Sequence, residues 1–280
     1  MGAAQAPGGR DDGGAPGGHV GVAPHLARER AGQSASMHFA HPEHGRVFER
    51  DPDLLEGFDA HTAATLRSQI VTRRLHVDAG PWEPSWADGE VDGHLGLLVI
   101  DGVLVRTLRL VGRECSEIVG PGDLIRPWDG EAPDESVPGA SHWRALHATT
   151  LASLDARFAM RVARWPTIAA ALLARSTQRC RSLVHQATIA HVRSAEARVL
   201  RVLWHLADRW GRVTPNGILV PVALTHQLLA QLTCLQRPTV SSAVGQLSQQ
   251  GQITRLSERG WLLHGKPPAS VAAPRQLAAA

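Results

Sequence analysis

The sequence predicts an α+β chain in which a β structure comes first, helices follow, and a small mixed unit closes the chain. Three observations predict it. Apolar runs of strand length, punctuated by glycine, crowd the first half, as in Gly93-His-Leu-Gly-Leu-Leu-Val-Ile-Asp-Gly102. Between Pro166 and about Val192 neither glycine nor a further proline interrupts the chain, which suits one long helix. From Ile218 to His264 a short strand, two short helical periods and a hairpin pattern succeed one another. With about 150 residues per domain as a prior, 280 residues allow two modest domains and their tails. Apolar residues at 43% and charged residues at 20% suit a soluble globular protein.

Residues 1–45 are Gly, Ala, Pro and His with few large apolar side chains, so they are expected to form a disordered tail. His19, His25, His38, His41 and His44 lie in it and are read as solvated, with no metal site assigned. The start, MGAAQAPGGRDDGG, has no charged segment leading into an apolar run and is not read as a secretory signal. Ala6 stands where a myristoylation signal carries Ser or Thr. A short helical piece near Pro52–Phe58 leads to a second at Ala63–Ile70. Gly96–Ile100, Gly102–Arg106 and Glu117–Val119 read as strands, and Gly120-Pro-Gly-Asp-Leu-Ile125 as a tight turn feeding another. Trp128–Ala140, with four carboxylates, two prolines and glycines, reads as an acidic exposed loop, and strands resume over Trp143–Leu154. Ala156–Arg164 is expected to be helical, and Pro166 opens the next helix at a first-turn position. Along that helix Ile168, Leu172, Arg175, Arg179, Leu183, Gln186 and Ala190 recur at heptad-like spacing as a mixed seam. Ser194 caps a further helix with apolar Leu200, Leu203, Trp204 and Ala207, which Gly211 stops.

The last quarter carries the chemistry. Ile218–Val222 is a short strand, and Thr225 caps a helix with apolar Leu228, Leu229 and Leu232. After a break at Thr233-Cys-Leu-Gln236, a second helix begins Arg237-Pro-Thr-Val240 and ends at Gln250, before Gly251. Pro238 suits its first turn, where no intrahelical donor is needed. Ile253–Leu256 and Trp261–Leu263 make a hairpin. Two short helices followed by a hairpin describe a winged helix-turn-helix. The second helix shows a polar, nearly uncharged face of Thr239, Ser241, Ser242, Gln246 and Gln249, with Arg237 at its front. Such a helix offers its positive end to phosphate and an arginine to a guanine edge. Arg255 and Arg259 of the hairpin would add salt-sensitive attraction along the backbone. The net charge is only +3, but Gly211–Ala280 holds six basic residues against Glu258 alone. That imbalance is the footprint of a polyanion partner. Lys266 is the only lysine among 29 basic residues, which a coding bias toward arginine explains.

On these residues the chain resembles the Crp/Fnr (cyclic-AMP receptor protein-like) transcription regulators. Leu224–Leu232 followed by Gln236-Arg-Pro-Thr-Val-Ser241 is similar to that family's helix-turn-helix, and Gly120–Ile125 to the turn of its β-roll sensor. The resemblance implies an N-terminal double-stranded β-roll over residues 46–165, a dimerisation helix over 166–193, a winged helix-turn-helix over 194–266 and a loose tail over 267–280. It implies a homodimer reading an inverted repeat in double-stranded DNA, with RNA polymerase as a further partner, in the cytoplasm and without a membrane. Arg237 matches the family's base-reading arginine, and Thr225, Gln227 and Thr239 match positions that touch phosphate. Pro238 replaces a base-reading glutamate and Ser242 a second arginine, so a different target sequence is implied. Cys234 stands where the turn often has glycine. The family's cyclic-nucleotide turn pairs Gly-Glu with a later Arg-Ser/Thr-Ala. Here Gly130-Glu131 is followed by acids, and Pro138 and Gly139 stand in place of the arginine pair. Cyclic AMP in the usual mode is therefore not expected, unless Arg144 and His142 serve a re-threaded loop.

Other classes find little support. Cys115, Cys180 and Cys234 are too few and too far apart in sequence for a disulfide framework or an iron–sulfur cluster from one chain, and a reducing compartment suits them. His76 and Cys115 are read as structural rather than haem ligands, and no cofactor is assigned. Cys180, between Arg179 and Arg181, has the cationic flanks that lower a thiol's pKa, although a packed helix cysteine is the simpler reading. Gly139-Ala-Ser-His-Trp143 lacks the last glycine of a nucleophile elbow, and neither a phosphate-binding loop nor paired metalloprotease histidines occur. An enzyme is not expected. The alternatives are a cyclic-nucleotide-responsive regulator and a protein-interaction module without DNA binding. No apolar run approaches the ~20 residues of a membrane span.

Overall fold

Local chemistry sets most element ends. A computed structural model of the chain describes residues 43–86, 90–129, 139–257 and 260–268. The chain enters through β1 (His44–Gly45), α1 (Val47–Arg50), a 3-10 turn at Pro52–Leu55 and α2 (Ala60–Gln69), whose cap Asp59 accepts from Thr62 N at 2.9 Å. The strands β2 (Thr72–Val77), β3 (Gly80–Trp82), β4 (Gly96–Asp101), β5 (Leu104–Leu110), β6 (Arg113–Val119), β7 (Leu124–Ile125), β8 (Ala140–Ala145) and β9 (Thr149–Leu154) follow. They form two antiparallel sheets, ordered β1-β2-β9-β4-β7 and β3-β8-β5-β6.

β4 explains the arrangement. Its unbroken apolar run is buried on both faces, as a strand between two layers requires. Leu97 and Val99 join Leu104, Val119, Ile125 and Leu151 between the sheets. Leu98 points the other way, into a cluster with Phe48, Phe158, Ile168 and Leu172. This is the expected α+β architecture with its antiparallel N-terminal sheets. Four strands, β1, β2, β3 and one near Arg212, have no counterpart in the sequence pattern. Arg73 and Arg74 break the apolar run of β2, and Pro81 argues against β3, which is an edge strand where proline is tolerated. His44 and Gly45, assigned by composition to the tail, pair with Arg73 and Thr72.

Asp155 caps α3 (Ala156–Val162), and Pro166 starts α4 (Pro166–Ala190). Ser194 caps α5 (Ala195–Trp210), accepting from Ala197 N at 3.1 Å. Then come β10 (Arg212–Thr214), β11 (Gly217–Val220), α6 (His226–Thr233), α7 (Arg237–Gln249), β12 (Ile253–Arg255) and β13 (Trp261–Leu263). The last strands form an antiparallel sheet ordered β10-β11-β13-β12. Exposed β10 has no alternating pattern to betray it.

The heptad-like stripe of α4 faces its own chain. Ile168 and Leu172 are buried in the cluster around Phe158. Arg175 pairs with Asp51 at 2.8 Å, and Arg179 Nε donates to Glu117 at 3.1 Å. Gln186 donates to the Ser116 carbonyl at 2.6 Å and to the Leu232 carbonyl at 3.2 Å.

Candidate nucleic-acid interface

α6 and α7 form the predicted helix pair. Thr225 Oγ1 accepts from Leu228 N at 3.1 Å, closing the first turn of α6. Leu228, Leu229 and Leu232 turn inward and meet Val240, Ala243, Val244 and Leu247 of α7 and Val199, Val202 and Leu203 of α5. The connection bends at Cys234, which adopts φ 53° and ψ 36°. A side chain in this left-handed region costs roughly 1–2 kcal/mol. Glycine, which the family resemblance implies at this position, would adopt it without that cost.

Burying those four apolar residues leaves the opposite face of α7 in solvent. Arg237, Thr239, Ser241, Ser242 and Gln246 are exposed, as are Thr225 and Gln227 on α6. The front of α7 has no side-chain cap and no acid in its first turn. Its amides and positive dipole end are therefore presented to solvent beside Arg237. Ser241 Oγ donates to the Arg237 carbonyl at 3.1 Å and Ser242 Oγ to the Pro238 carbonyl at 3.3 Å, so both hydroxyls are held on the helix. Thr225 still has its hydroxyl proton to donate.

One neighbour was not singled out from the sequence. His226 Nδ1 lies 2.9 Å from Ser241 Oγ and ties the start of α6 to α7. Burial first, then the Arg255 and Arg237 charges, hold its pKa below the ordinary histidine range. The guanidiniums of wing and helix thus act on one point. Arg255 itself lies over Trp261, 5.8 Å from the ring centroid. Arg259 lies outside the described residues. Gly245, also overlooked, sits on the exposed face, and a Cβ there would meet nothing within 4 Å.

The N-terminal sheets hold a second cleft, against α4. It encloses about 240 Å³ between Arg106, Arg126, Ser176 and Arg179. Each guanidinium already has partners. Arg179 holds Glu117, Arg106 Nε donates to Ser141 at 2.9 Å, and Arg126 reaches Asp129 and the His94 carbonyl. His142 and Arg144 are not in this cleft: they lie on the exposed face of β8, opposite buried Trp143 and Ala145. Gly130, Glu131 and Pro138 lie outside the described residues. Among the described residues no group of three His, Cys, Asp or Glu side chains is placed to hold a metal, and no helix is long and apolar enough to cross a membrane.

The two halves share a joint. Asp123, in the Gly120-Pro-Gly-Asp turn, accepts from Gly120 N at 2.9 Å and from the Arg209 guanidinium of α5. Trp210 packs on Gly120 so closely that a Cβ there would lie 2.7 Å from the indole. On the other side of the joint, Gln231 of α6 donates to Glu114 of β6 at 2.6 Å.

Comparison with known proteins agrees with this geometry. Residues 197–264 match the family model of the Crp-like helix-turn-helix domain. FixK2 from Bradyrhizobium japonicum is similar in structure at a TM-score of 0.53 and 19% identity, covering 72% of this chain and 100% of its own. A variant of CooA from Carboxydothermus hydrogenoformans is similar at 0.51 and 19%, covering 69% and 83%. The c-di-GMP-responsive global regulator CLP of Xanthomonas campestris is similar at 0.50 and 18%, covering 74% and 100%. No curated protein matches by sequence.

Proposed function

From a chain whose residues 197–264 are a Crp-like helix-turn-helix domain, carried on the fold of the Crp/Fnr regulators, we propose a homodimeric transcription regulator that reads an inverted repeat in DNA. The observation that carries the reading is the exposed polar face of α7, with Arg237 at an uncapped, acid-free helix front. In this reading Arg237 reaches a guanine edge and Ser241, Ser242 and Gln246 contact neighbouring bases. Thr225, Gln227 and Thr239 hold phosphates, and Arg255, with Arg259, adds attraction that salt weakens. RNA polymerase and a cytoplasmic setting follow from the same role.

A seam for the dimer lies on the outward face of α4. Ala170, Leu173, Thr177, Cys180, Val184 and Ala187 alternate at three- and four-residue spacing, and Leu173 and Val184 are 68% and 67% exposed. Large apolar side chains on that spacing suit a helix-to-helix contact. Selection of bound fragments from random duplex DNA by the full chain tests the whole reading. The expected product is a palindrome with half-site centres about 34 Å apart. Arg237→Ala should lose about 1–3 kcal/mol on that fragment, and Leu173→Glu should sediment as a monomer that no longer selects a palindrome. Random recovered sequences, or an Arg237→Ala protein that binds as well as the parent, would refute it.

For the sensor we infer no cyclic-AMP site of the usual kind. The paired arginines of the α4 cleft support this, because Glu117 on Arg179 and Asp129 on Arg126 already offset the charges that a phosphodiester would need. Calorimetry with cyclic AMP should show no binding heat, and a saturable isotherm would overturn the inference.

A further inference from the structure

The joint between the N-terminal sheets and the helix-turn-helix contains two cysteines that the DNA-reading role does not use. Cys115 stands on β6 and Cys234 in the left-handed turn between α6 and α7, far apart in sequence. Their sulfurs lie 3.9 Å apart. A disulfide requires about 2.05 Å, so the two sulfurs have to approach by about 2 Å for the bond to form. Both thiols are solvent-accessible. They border a cavity of about 240 Å³ between β6, α4 and α6, lined also by Leu108, Leu183 and Leu232, through which a small oxidant can approach.

We propose that Cys115 and Cys234 are a dithiol site which a peroxide converts to a disulfide, clamping the helix-turn-helix to β6 and weakening its hold on DNA. The Cys234 thiolate attacks one peroxide oxygen, giving a sulfenic acid and hydroxide. The Cys115 thiol then attacks that sulfur, the S–S bond forms, and water leaves with the sulfenic oxygen. Two thiols lose two electrons and two protons, and one hydrogen peroxide becomes two waters.

The order of attack follows from the surroundings. The contact with Cys115, then the Arg198 and His191 charges, bring the Cys234 thiol down to about 6, while the same contact and burial push the Cys115 thiol up. Cys234 is thus a thiolate at neutral pH and Cys115 the resolving thiol. The consequence for DNA rests on the function proposed above. One wall of the neighbouring cleft carries Arg237 and Pro238, and the other carries Val111, Gly112 and Arg113 of the β5–β6 hairpin. A bond at Cys115–Cys234 holds that hairpin beside the helix end that has to enter a groove about 12 Å wide.

The test treats the full-length protein with hydrogen peroxide, and peptide mapping separates the pair in question from Cys180. Peptide mapping should recover the segments around Cys115 and Cys234 joined, with a loss of two hydrogens. The oxidised protein should bind the selected DNA fragment at least tenfold more weakly, and dithiothreitol should restore it. Cys115→Ser should yield a sulfenic acid trapped at Cys234 by a dione reagent and should keep its affinity after peroxide. Unjoined thiols under these conditions, or a joined pair with unchanged affinity, would overturn the proposal. A reduced protein that ignores DNA would count against the proposed function alone, and the peptide map would still decide the site.

Discussion

At Gly245 the exposed face of α7 carries a residue that folding does not require. A Cβ there meets nothing of the protein, and glycine inside a helix costs about 1 kcal/mol relative to alanine. Gly245→Ala should therefore raise the unfolding free energy by roughly 0.5–1 kcal/mol, read as a higher melting temperature. If the backbone at this point approaches DNA, the same variant should bind the selected fragment more weakly. Greater stability with undiminished affinity would remove Gly245 from the interface. The other polar residues of this face were legible in the sequence, because the helical period separates them from Val240, Ala243, Val244 and Leu247. Gly245 and His226 were not. A glycine in a helix and a histidine in a first turn have no spacing signal, and their meaning depends on what faces them.

Helix α4 shows how an element can be located from sequence while the direction of its faces is not. Its span was legible from the uninterrupted run after Pro166. Its heptad-like stripe turns inward, where Arg175, Arg179 and Gln186 find partners on their own chain. Polar residues on an inward stripe are read from sequence as surface, and only the positions of Asp51, Glu117 and the Ser116 carbonyl reverse that. Where α4 meets α5, His205 Nε2 lies 2.8 Å from Ser182 Oγ, with the His185 ring at 4.7 Å. Burial, then the neighbouring His185 and Arg209 charges, push the His205 pKa down from 6.5 to about 4. The unfolded histidine therefore takes up a proton that the folded one refuses. The stabilisation is complete above pH ~6.5 and is lost as pH falls toward 4, by on the order of 3 kcal/mol. Urea midpoints measured from pH 7.5 to 4.5 should fall less steeply for His205→Gln than for the parent. Parallel curves would exclude His205 as the group responsible.

For the molecule as a whole, the joint between the N-terminal sheets and the C-terminal helices includes a buried ion pair. Asp123 and Arg209 are only 6% and 15% exposed. Removing one member strands the other, which costs about 3–5 kcal/mol. Asp123→Ala should lower the urea midpoint accordingly, whereas Asp123→Ala combined with Arg209→Met should recover most of the loss. A single variant as stable as the parent would mean that the joint rests on the apolar contacts alone. Those contacts are extensive: Val103, Val105 and Ile118 of the sheets share one cluster with Leu203, Leu206 and Leu228 of the helices. The N-terminal strands and the C-terminal helices are thus packed together rather than strung on a linker.

The sequence by itself determined the succession of β structure, long helix and helix-turn-helix, the caps at Ser194 and Thr225, the helix pair with its wing, and the polar face behind Arg237. Each of these follows from period, punctuation and charge within a few neighbouring residues. The tertiary structure decided which face of α4 turns inward, that the arginines of its cleft are already neutralised, and that Asp123 meets Arg209 and Cys115 meets Cys234. Arg179 and Glu117, Asp123 and Arg209, and Cys115 and Cys234 stand 62, 86 and 119 positions apart. A local pattern carries no record of a partner at that distance, because the contact is set by how whole layers pack.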